Sequence, residues 1–154
     1  MSDEVTLDEF TEQGTEEGEQ SEQKIPERWQ VHRAEEIMKI TRGASPRPKG
    51  DPELFGGDIP WVKIGDVDVK NVRYTGETED TVTEKGAKKS KLVDEGTLLV
   101  SNSGTCGYPM FAGRQSCVHD GWLILRDYED SLNPHYLYEY INWKQNYLKS
   151  LAPG

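Results

Sequence analysis

The chain has 154 residues, a formal net charge of −10, and 30% charged against 34% hydrophobic residues. This length allows one domain with an appendage rather than two full domains. No apolar run approaches the roughly 18 residues of a membrane-spanning helix, and Cys106 and Cys117 are too few for a disulfide scaffold. Because the acidic N-terminus is unlike a targeting sequence, we expect a cytoplasmic protein.

The negative charge is concentrated at the N-terminus. Residues 1–23 hold nine acidic residues and no Lys or Arg, whereas the rest of the chain has almost equal numbers of acidic and basic residues. The segment has few large apolar side chains, so it cannot bury enough surface to offset the entropy of ordering. We therefore expect a disordered acidic tail over residues 1–24 and an ordered domain over residues 25–154.

The ordered part is predicted to begin with a short helical turn through Arg33–Ile40. A loop with prolines at positions 46, 48 and 52 follows, because proline is excluded from helix interiors and central strands. Apolar runs then predict strands at residues 59–64, 67–74, 97–101, 108–112 and 121–126. Between the second and third strands, residues 83–90 are predicted to form a polar turn or short helix.

The last predicted element is a helix. Asn133 is a suitable N-cap, Pro134 fits the first helical position, and apolar residues at helical spacing extend to Leu151. The sequence therefore predicts an α+β fold, a twisted mixed sheet with a short N-terminal helix and a C-terminal helix. Trp61 and Trp122 have apolar neighbours, so we expect both in the core.

Most enzyme sites are incomplete in this sequence. Ser101-Asn102-Ser103-Gly104 offers hydroxyls after a strand, but it lacks the Gly-x-Ser-x-Gly elbow and nothing nominates a histidine as its base. Cys106, Cys117 and His119 supply three potential metal ligands without a fourth and without zinc-site spacing. Phosphate-cradling glycine motifs do not occur.

The best catalytic alternative is a metal-dependent DNA nuclease. Asp58 (or Asp51) and Asp68 would hold a divalent metal, and Lys70 would neutralise developing phosphate charge. Alternating charges on an exposed strand explain the same pattern equally well.

Basic residues form two clusters. Arg42, Arg47 and Lys49 lie in or beside the proline-rich loop, and four lysines lie within residues 85–91, with Lys63 on the strand between. A cation on a stiff loop loses less freedom when it meets a phosphate, and neighbouring Gly and Ser offer N–H and hydroxyl groups to the same oxygens. Composition alone favours ordinary solvated charge over a nucleic-acid interface.

Several motifs occur in a characteristic order. They are Thr41-Arg42-Gly43-Ala44-Ser45-Pro46, Asp58-Ile59-Pro60-Trp61-Val62-Lys63-Ile64-Gly65-Asp66, Thr83-Glu84-Lys85-Gly86, Glu95-Gly96-Thr97-Leu98-Leu99-Val100-Ser101 and Ser103-Gly104-Thr105-Cys106-Gly107. Together they resemble the target recognition domain of the specificity (S) subunit of type I restriction–modification systems, over residues 26–154. The second motif is the most specific, close to the family's Ile-Pro-Trp-hydrophobic-x-x-Gly-Asp.

The sequence departs from the family pattern in two ways. His119-Asp120 stands where members usually carry Asn-Gln. A full S subunit also has two such domains separated by long helices, whereas here there is one domain and no spacer. We therefore expect a truncated half-subunit, incomplete at its C-terminus, or an isolated domain.

The resemblance implies a domain that reads one half of a bipartite DNA site, without a catalytic site or cofactor of its own. Its implied partners are double-stranded DNA, an adenine methyltransferase (M) subunit, a restriction/translocase (R) subunit, and a second copy or second recognition domain. The predicted phosphate contacts are Arg42, Arg47, Lys49, Lys88, Lys89 and Lys91. The predicted base-edge contacts are Ser45, Lys63, Asn102 and Ser103.

Two further expectations concern other surfaces. By family analogy the C-terminal helix packs near the spacer and the methyltransferase, which would leave its Tyr136/Tyr140/Trp143/Tyr147 face partly exposed here. A protein-interaction module acting through the acidic tail is the second alternative function.

Overall fold

The structure, a computed structural model, describes residues 25–151. The expected disordered tail at residues 1–24 lies outside the described residues, as do residues 152–154, and the boundary between tail and domain stays a prediction. The chain divides into a segment ending at Val31 and a compact unit beginning at His32. In the first, the Trp29 N–H donates to the Pro26 carbonyl over 2.8 Å and closes a turn. The rest of the description concerns the second unit.

The compact unit contains four α-helices, one 3₁₀ helix (Ile64–Asp66) and eight strands among its described residues. The helices are α1 (Ala34–Ile37), α2 (Glu84–Lys88), α3 (Pro134–Trp143) and α4 (Gln145–Leu151). The strands are β1 (Lys39–Arg42), β2 (Phe55–Val62), β3 (Asp80–Val82), β4 (Lys91–Val93), β5 (Leu98–Ser101), β6 (Pro109–Phe111), β7 (Ser116–Val118) and β8 (Trp122–Arg126). No described helix is long and apolar enough to cross a bilayer.

The strands form two four-stranded sheets. Sheet 1 has the order β1-β8-β5-β6 and is antiparallel throughout. Sheet 2 has the order β3-β2-β7-β4 and is mixed, because β2 and β7 run parallel whereas the other pairs are antiparallel. The chain crosses between the sheets four times, through the β1–β2 loop (residues 43–54), the β4–β5 loop (residues 94–97), the β6–β7 loop (residues 112–115) and the β7–β8 turn (residues 119–121).

The main core lies between the two sheets. Val62 and Val118 of sheet 2 pack in one buried cluster with Leu99, Trp122 and Ile124 of sheet 1. Successive residues of β5 point to opposite faces, as a strand requires. Leu99 therefore faces this core, while its neighbours Leu98 and Val100 pack under α1 and α3.

A smaller cluster covers the other face of sheet 2. Trp61, Val82 and Cys117 are buried there against Ala87 of α2. The expected core positions of Trp61 and Trp122 are confirmed, with relative exposures of 3% and 0%. Thr83 caps α2, since its hydroxyl oxygen accepts the Gly86 N–H at 3.1 Å.

The predicted helix cap at Asn133 is also confirmed, because its side-chain oxygen accepts the His135 N–H at 2.8 Å. The helix is not continuous to Leu151, however. Its backbone leaves helical geometry at Lys144, where ψ is 10°, and α4 starts after this break. The expected exposure of the aromatic face is observed, with Trp143 73% and Tyr140 45% exposed.

The predicted strand over residues 67–74 is wrong. The carbonyl of Asp68 accepts the N–H groups of Asn71 and Val72 at 3.0 and 3.1 Å, and its carboxylate accepts the Asn71 side chain at 2.7 Å. These local bonds form a turn, as Asp and Asn often do. Only Tyr74 makes a bridge, to Phe111.

Two further predictions need correction. The first helix ends at Ile37, and residues 39–42 form β1 because they pair with residues 123–126 of β8. The single predicted sheet is divided into two, since β3, β4 and β7 supply strands of three residues that the sequence did not predict. The α+β class is as predicted, and helices flank the sheets at both ends with the corrected bounds.

Candidate nucleic-acid interface

The β1–β2 loop is held directly against the β7–β8 turn. The Gly43 N–H donates to the Trp122 carbonyl at 2.8 Å, and the Ala44 N–H donates to the Val118 carbonyl at 3.1 Å. A Cβ on residue 43 would lie 2.1 Å from the His119 carbonyl oxygen, so the close approach requires glycine. The Thr41–Pro46 motif, which contains Arg42 and directly precedes Arg47, is therefore fixed to the strand ends of both sheets.

Asp120 connects the loop and the turn through side-chain hydrogen bonds. Its carboxylate accepts the Ser45 hydroxyl at 2.7 Å and lies 2.9 Å from His119 Nε2, while its carbonyl accepts Arg42 Nε at 2.7 Å. The Ser45 hydrogen bond lowers the pKa of Asp120 most, and the nearby His119 and Arg42 act in the same direction, whereas burial opposes them. Asp120 is thus held ionised as an acceptor.

The geometry also assigns the tautomer of His119. The Gly121 N–H donates to His119 Nδ1 at 2.9 Å, so the proton of the neutral ring lies on Nε2 and faces Asp120. Ser90, which follows α2, donates from its hydroxyl to the Ala44 carbonyl at 2.6 Å. The sequence did not identify Asp120, His119 or Ser90 as site residues; its one signal was the unusual His119-Asp120 pair.

Most of the predicted phosphate contacts have no acidic partner within the described residues. Among the described residues, Arg47, Lys49, Lys88 and Lys91 form no salt bridge and no side-chain hydrogen bond, and Lys89 Nζ donates only to the Arg47 carbonyl at 3.3 Å. By contrast, Arg73 pairs with Glu139 and Lys85 pairs with Glu53. The charges of Arg47 and Lys49 in the loop, and of the three lysines at residues 88, 89 and 91, are therefore available to an external anion.

These cations lie on neighbouring segments. The Lys89 contact joins the end of α2 to the β1–β2 loop, and Lys91 of β4 is paired in register with Val118, whose carbonyl also accepts the Ala44 N–H. Lys88, Lys89 and Lys91 are exposed. The structure thus brings the loop and the α2–β4 segment together, although the contacting residues Arg47 and Lys89 are 42 positions apart in the sequence.

Lys63 is engaged within the chain. Its Nζ lies 2.6 Å from Asp80 and 3.1 Å from Glu79. The hydrogen bond to Asp80 raises the pKa of Lys63 well above its usual value, with Glu79 and Asp66 adding to the effect and burial opposing it. A base contact by Lys63 would have to compete with these carboxylates.

The two remaining base-edge candidates also meet at the β7–β8 turn. The Asn102 N–H donates to the Gly121 carbonyl at 2.9 Å, and Ser103 Oγ lies 2.7 Å from the position that a Cβ on Gly121 would occupy. Asn102 Oδ1 is buried without a hydrogen-bond partner among the described residues, and Ser103 is exposed. Helix α4 supports this segment, where Lys149 Nζ donates to the Tyr108 hydroxyl at 3.0 Å.

The residues of the nuclease alternative do not form a metal centre. Asp58, Asp68 and Lys70 are all exposed, and the Asp68 carboxylate is used in the turn. Within residues 25–151 no group of three His, Cys, Asp or Glu side chains is placed to hold a metal ion. Cys106 and Cys117 are free thiols, and burial raises the pKa of Cys117.

Comparisons with known proteins support the resemblance. The family model for the type I restriction modification DNA specificity domain matches residues 26–154. The type I restriction enzyme MjaIX specificity subunit of Methanocaldococcus jannaschii is 30% identical over 135 residues, covering 85% of this chain and 31% of that protein. The HindI specificity subunit of Haemophilus influenzae is 27% identical over 137 residues, covering 84% and 28%. The chain thus spans about three tenths of these curated relatives.

Both relatives are named as specificity subunits, in agreement with the prediction of a specificity component rather than an enzyme. The HsdS subunit of Thermoanaerobacter tengcongensis has a TM-score of 0.66 at 23% identity, covering 84% of this chain and 31% of that one. A chain from a structure on complex assembly and conformational transition of the type I R-M system has a TM-score of 0.67 at 22% identity, covering 86% and 32%. At these identities the likeness shows the fold, and it confirms the α+β class.

Proposed function

Because the chain belongs to the type I restriction modification DNA specificity domain family, we propose that its ordered part is a DNA target-recognition module. It reads one half of a bipartite site and leaves the chemistry to other subunits. The observation that carries this function is the grouping of cations without carboxylate partners beside polar side chains at the β7–β8 turn.

The basic side chains and the short polar side chains have separate roles in this proposal. Arg42, Arg47, Lys49, Lys88, Lys89 and Lys91 contact phosphates, which fixes the position of the module without selecting a sequence. Ser45, Asn102 and Ser103 offer short polar groups to base edges, and Lys63 can join them by exchanging a carboxylate for a base acceptor. Recognition then depends on side chains that Asp120 and the turn hold in a fixed relation.

The partner assignments follow from the family. We infer that the module directs an adenine methyltransferase subunit and a restriction/translocase subunit, and that a second copy or second recognition domain reads the other half-site. The exposed aromatic face of α3 and α4, formed by Tyr136, Tyr140, Trp143 and Tyr147, is the surface we assign to protein partners. Aromatic side chains of this kind are enriched at protein interfaces.

Selection from randomised DNA duplexes tests the function. We expect enrichment of one short sequence, alone or together with a methyltransferase subunit of the same system, and an affinity that falls steeply with salt. Five or six phosphate contacts would give a slope of log K against log salt of about −5. Absence of any sequence preference, even with the methyltransferase present, would contradict the proposal.

A further inference from the structure

A cleft opens next to the β7–β8 turn. Its lining residues are Ser45, Pro46, Arg47, Lys49, Trp61, Lys63 and His119. The β1–β2 loop forms one wall, and the end of β2 with the turn forms the other. Because Pro46 is fully buried and Ser45 is bonded to Asp120, the loop wall is anchored rather than free.

The charge of the cleft suits a monoanion. Arg47 and Lys49 have no carboxylate partner among the described residues, whereas the charge of Lys63 is more than offset by Glu79 and Asp80. Near the rim, the charge of Asp120 is opposed by that of Arg42. Asp66 beside Lys63 and Lys89 beside Arg47 add one charge of each sign. The balance is about one positive charge, which matches a phosphodiester better than a phosphomonoester or free phosphate carrying up to two negative charges.

Trp61 supplies a donor that lacks an acceptor. The residue is only 3% exposed, and its Nε1 is buried without a hydrogen-bond partner among the described residues. Buried indole N–H groups usually have an acceptor. Trp122 Nε1 also lacks one, but Trp122 does not line the cleft, so the two tryptophans can be compared within one molecule.

We propose that this cleft seats one phosphodiester group of the DNA backbone, held by Arg47 and Lys49 and bonded by the Trp61 indole N–H. This assignment rests on the proposed function and names one contact within it. A phosphate fixed here sets the register of the base-reading side chains, because Ser45 lines the same cleft and Asn102 and Ser103 adjoin the same turn.

Nuclear magnetic resonance of the ¹⁵N-labelled full chain tests directly whether the cleft binds a phosphodiester. The chain has four tryptophans, and a Trp61→Phe variant identifies the Trp61 indole signal. The probes are dimethyl phosphate, inorganic phosphate and a short DNA duplex, each titrated at constant ionic strength. We expect dimethyl phosphate and the duplex to move the Trp61 signal more than inorganic phosphate does, while the Trp122 signal stays in place.

A charge variant gives a second measurement that does not depend on replacing a buried residue. Arg47→Ala/Lys49→Ala should abolish the Trp61 shift, weaken duplex binding about tenfold and reduce the salt slope by about one. The matched control, Lys39→Ala/Lys70→Ala, removes the same charge outside the cleft and should retain the Trp61 shift.

The outcomes separate this inference from the function. A duplex that binds without moving the Trp61 signal contradicts the phosphodiester site in the cleft and leaves the function intact. An unchanged Trp61 shift in Arg47→Ala/Lys49→Ala has the same meaning. Preference for inorganic phosphate also contradicts the phosphodiester site, because the cleft then binds free phosphate. The duplex titration is repeated with the methyltransferase subunit present. A Trp61 shift with dimethyl phosphate but no duplex binding in either titration supports a diester site and contradicts the function, and no response to any probe in either titration contradicts both.

Discussion

Asp120 is the residue on which the arrangement of the candidate interface depends most. Its carboxylate contacts Ser45 and His119, and its backbone carbonyl accepts from Arg42, so this one residue links the loop motif to the β7–β8 turn. The cations could be identified from the sequence because charge clusters are local. Asp120 could not, because its partner Ser45 lies 75 positions away and only the fold brings them together.

A double-mutant cycle measures this link. Asp120→Ala and Ser45→Ala each remove the same hydrogen bond, and each should lower the free energy of unfolding by about 1 kcal/mol, since the group is partly exposed. Because the two changes share a contact, the double variant should cost clearly less than their sum. Thermal and urea unfolding provide the measurement; additive losses would show that the bond contributes nothing.

The contribution of Asp120 to the free energy of unfolding depends on pH, and the sign of this dependence can be predicted. The pKa of Asp120 is lowered in the folded state, so its contribution to stability is present above the ordinary Asp value of 3.8 and disappears as pH falls below it. The difference between the wild type and Asp120→Asn should therefore shrink in acid. A difference that grows as the pH falls would contradict the assignment.

At the scale of elements, prediction succeeded where the signal is local. The apolar run of β5 and the Asn133-Pro134 start of α3 carry their own information, and both elements form as predicted. Strands β3, β4 and β7 have three residues each and exist because of the neighbours they pair with. The error at residues 67–74 has a local cause. The backbone N–H groups of Asn71 and Val72 bond the nearby Asp68 carbonyl, whereas in a strand they would bond a neighbouring strand.

The segment from α2 to β4 provides a prediction at this scale. Replacing Lys88, Lys89 and Lys91 by alanine should weaken DNA binding at low salt and reduce the slope of log K against log salt by up to about three, because each phosphate contact contributes nearly one. Fluorescence anisotropy at several salt concentrations measures the slope. The control is a triple replacement of Lys39, Lys70 and Lys144, and an equal effect in both variants would remove the segment from the interface.

For the whole molecule, the uneven charge distribution has a measurable effect. Deleting residues 1–23 removes nine negative charges and should strengthen DNA binding at low salt, because a polyanion repels like charge over about a Debye length. The gain should vanish at high salt. Replacing the same acids by Asn and Gln at constant length is the control, and it should reproduce the gain.

The opposite result would favour the alternative of a protein-interaction tail. If the deletion leaves DNA affinity unchanged at low salt but abolishes binding to a protein partner, the segment acts through contacts of its own. The sequence identifies this region by composition alone, and composition predicts long-range repulsion more securely than it predicts a partner.

Two of the four connections between the sheets, the β1–β2 loop and the β7–β8 turn, lie side by side at the proposed interface. A ligand that contacts both connections is in contact with segments that lead into both sheets. Binding should therefore stabilise the folded state of both sheets. Occupancy should slow amide hydrogen exchange in the core strands of each sheet as well as in the surface loops. In the proposed function, DNA binding would therefore also stabilise the contact between the two sheets.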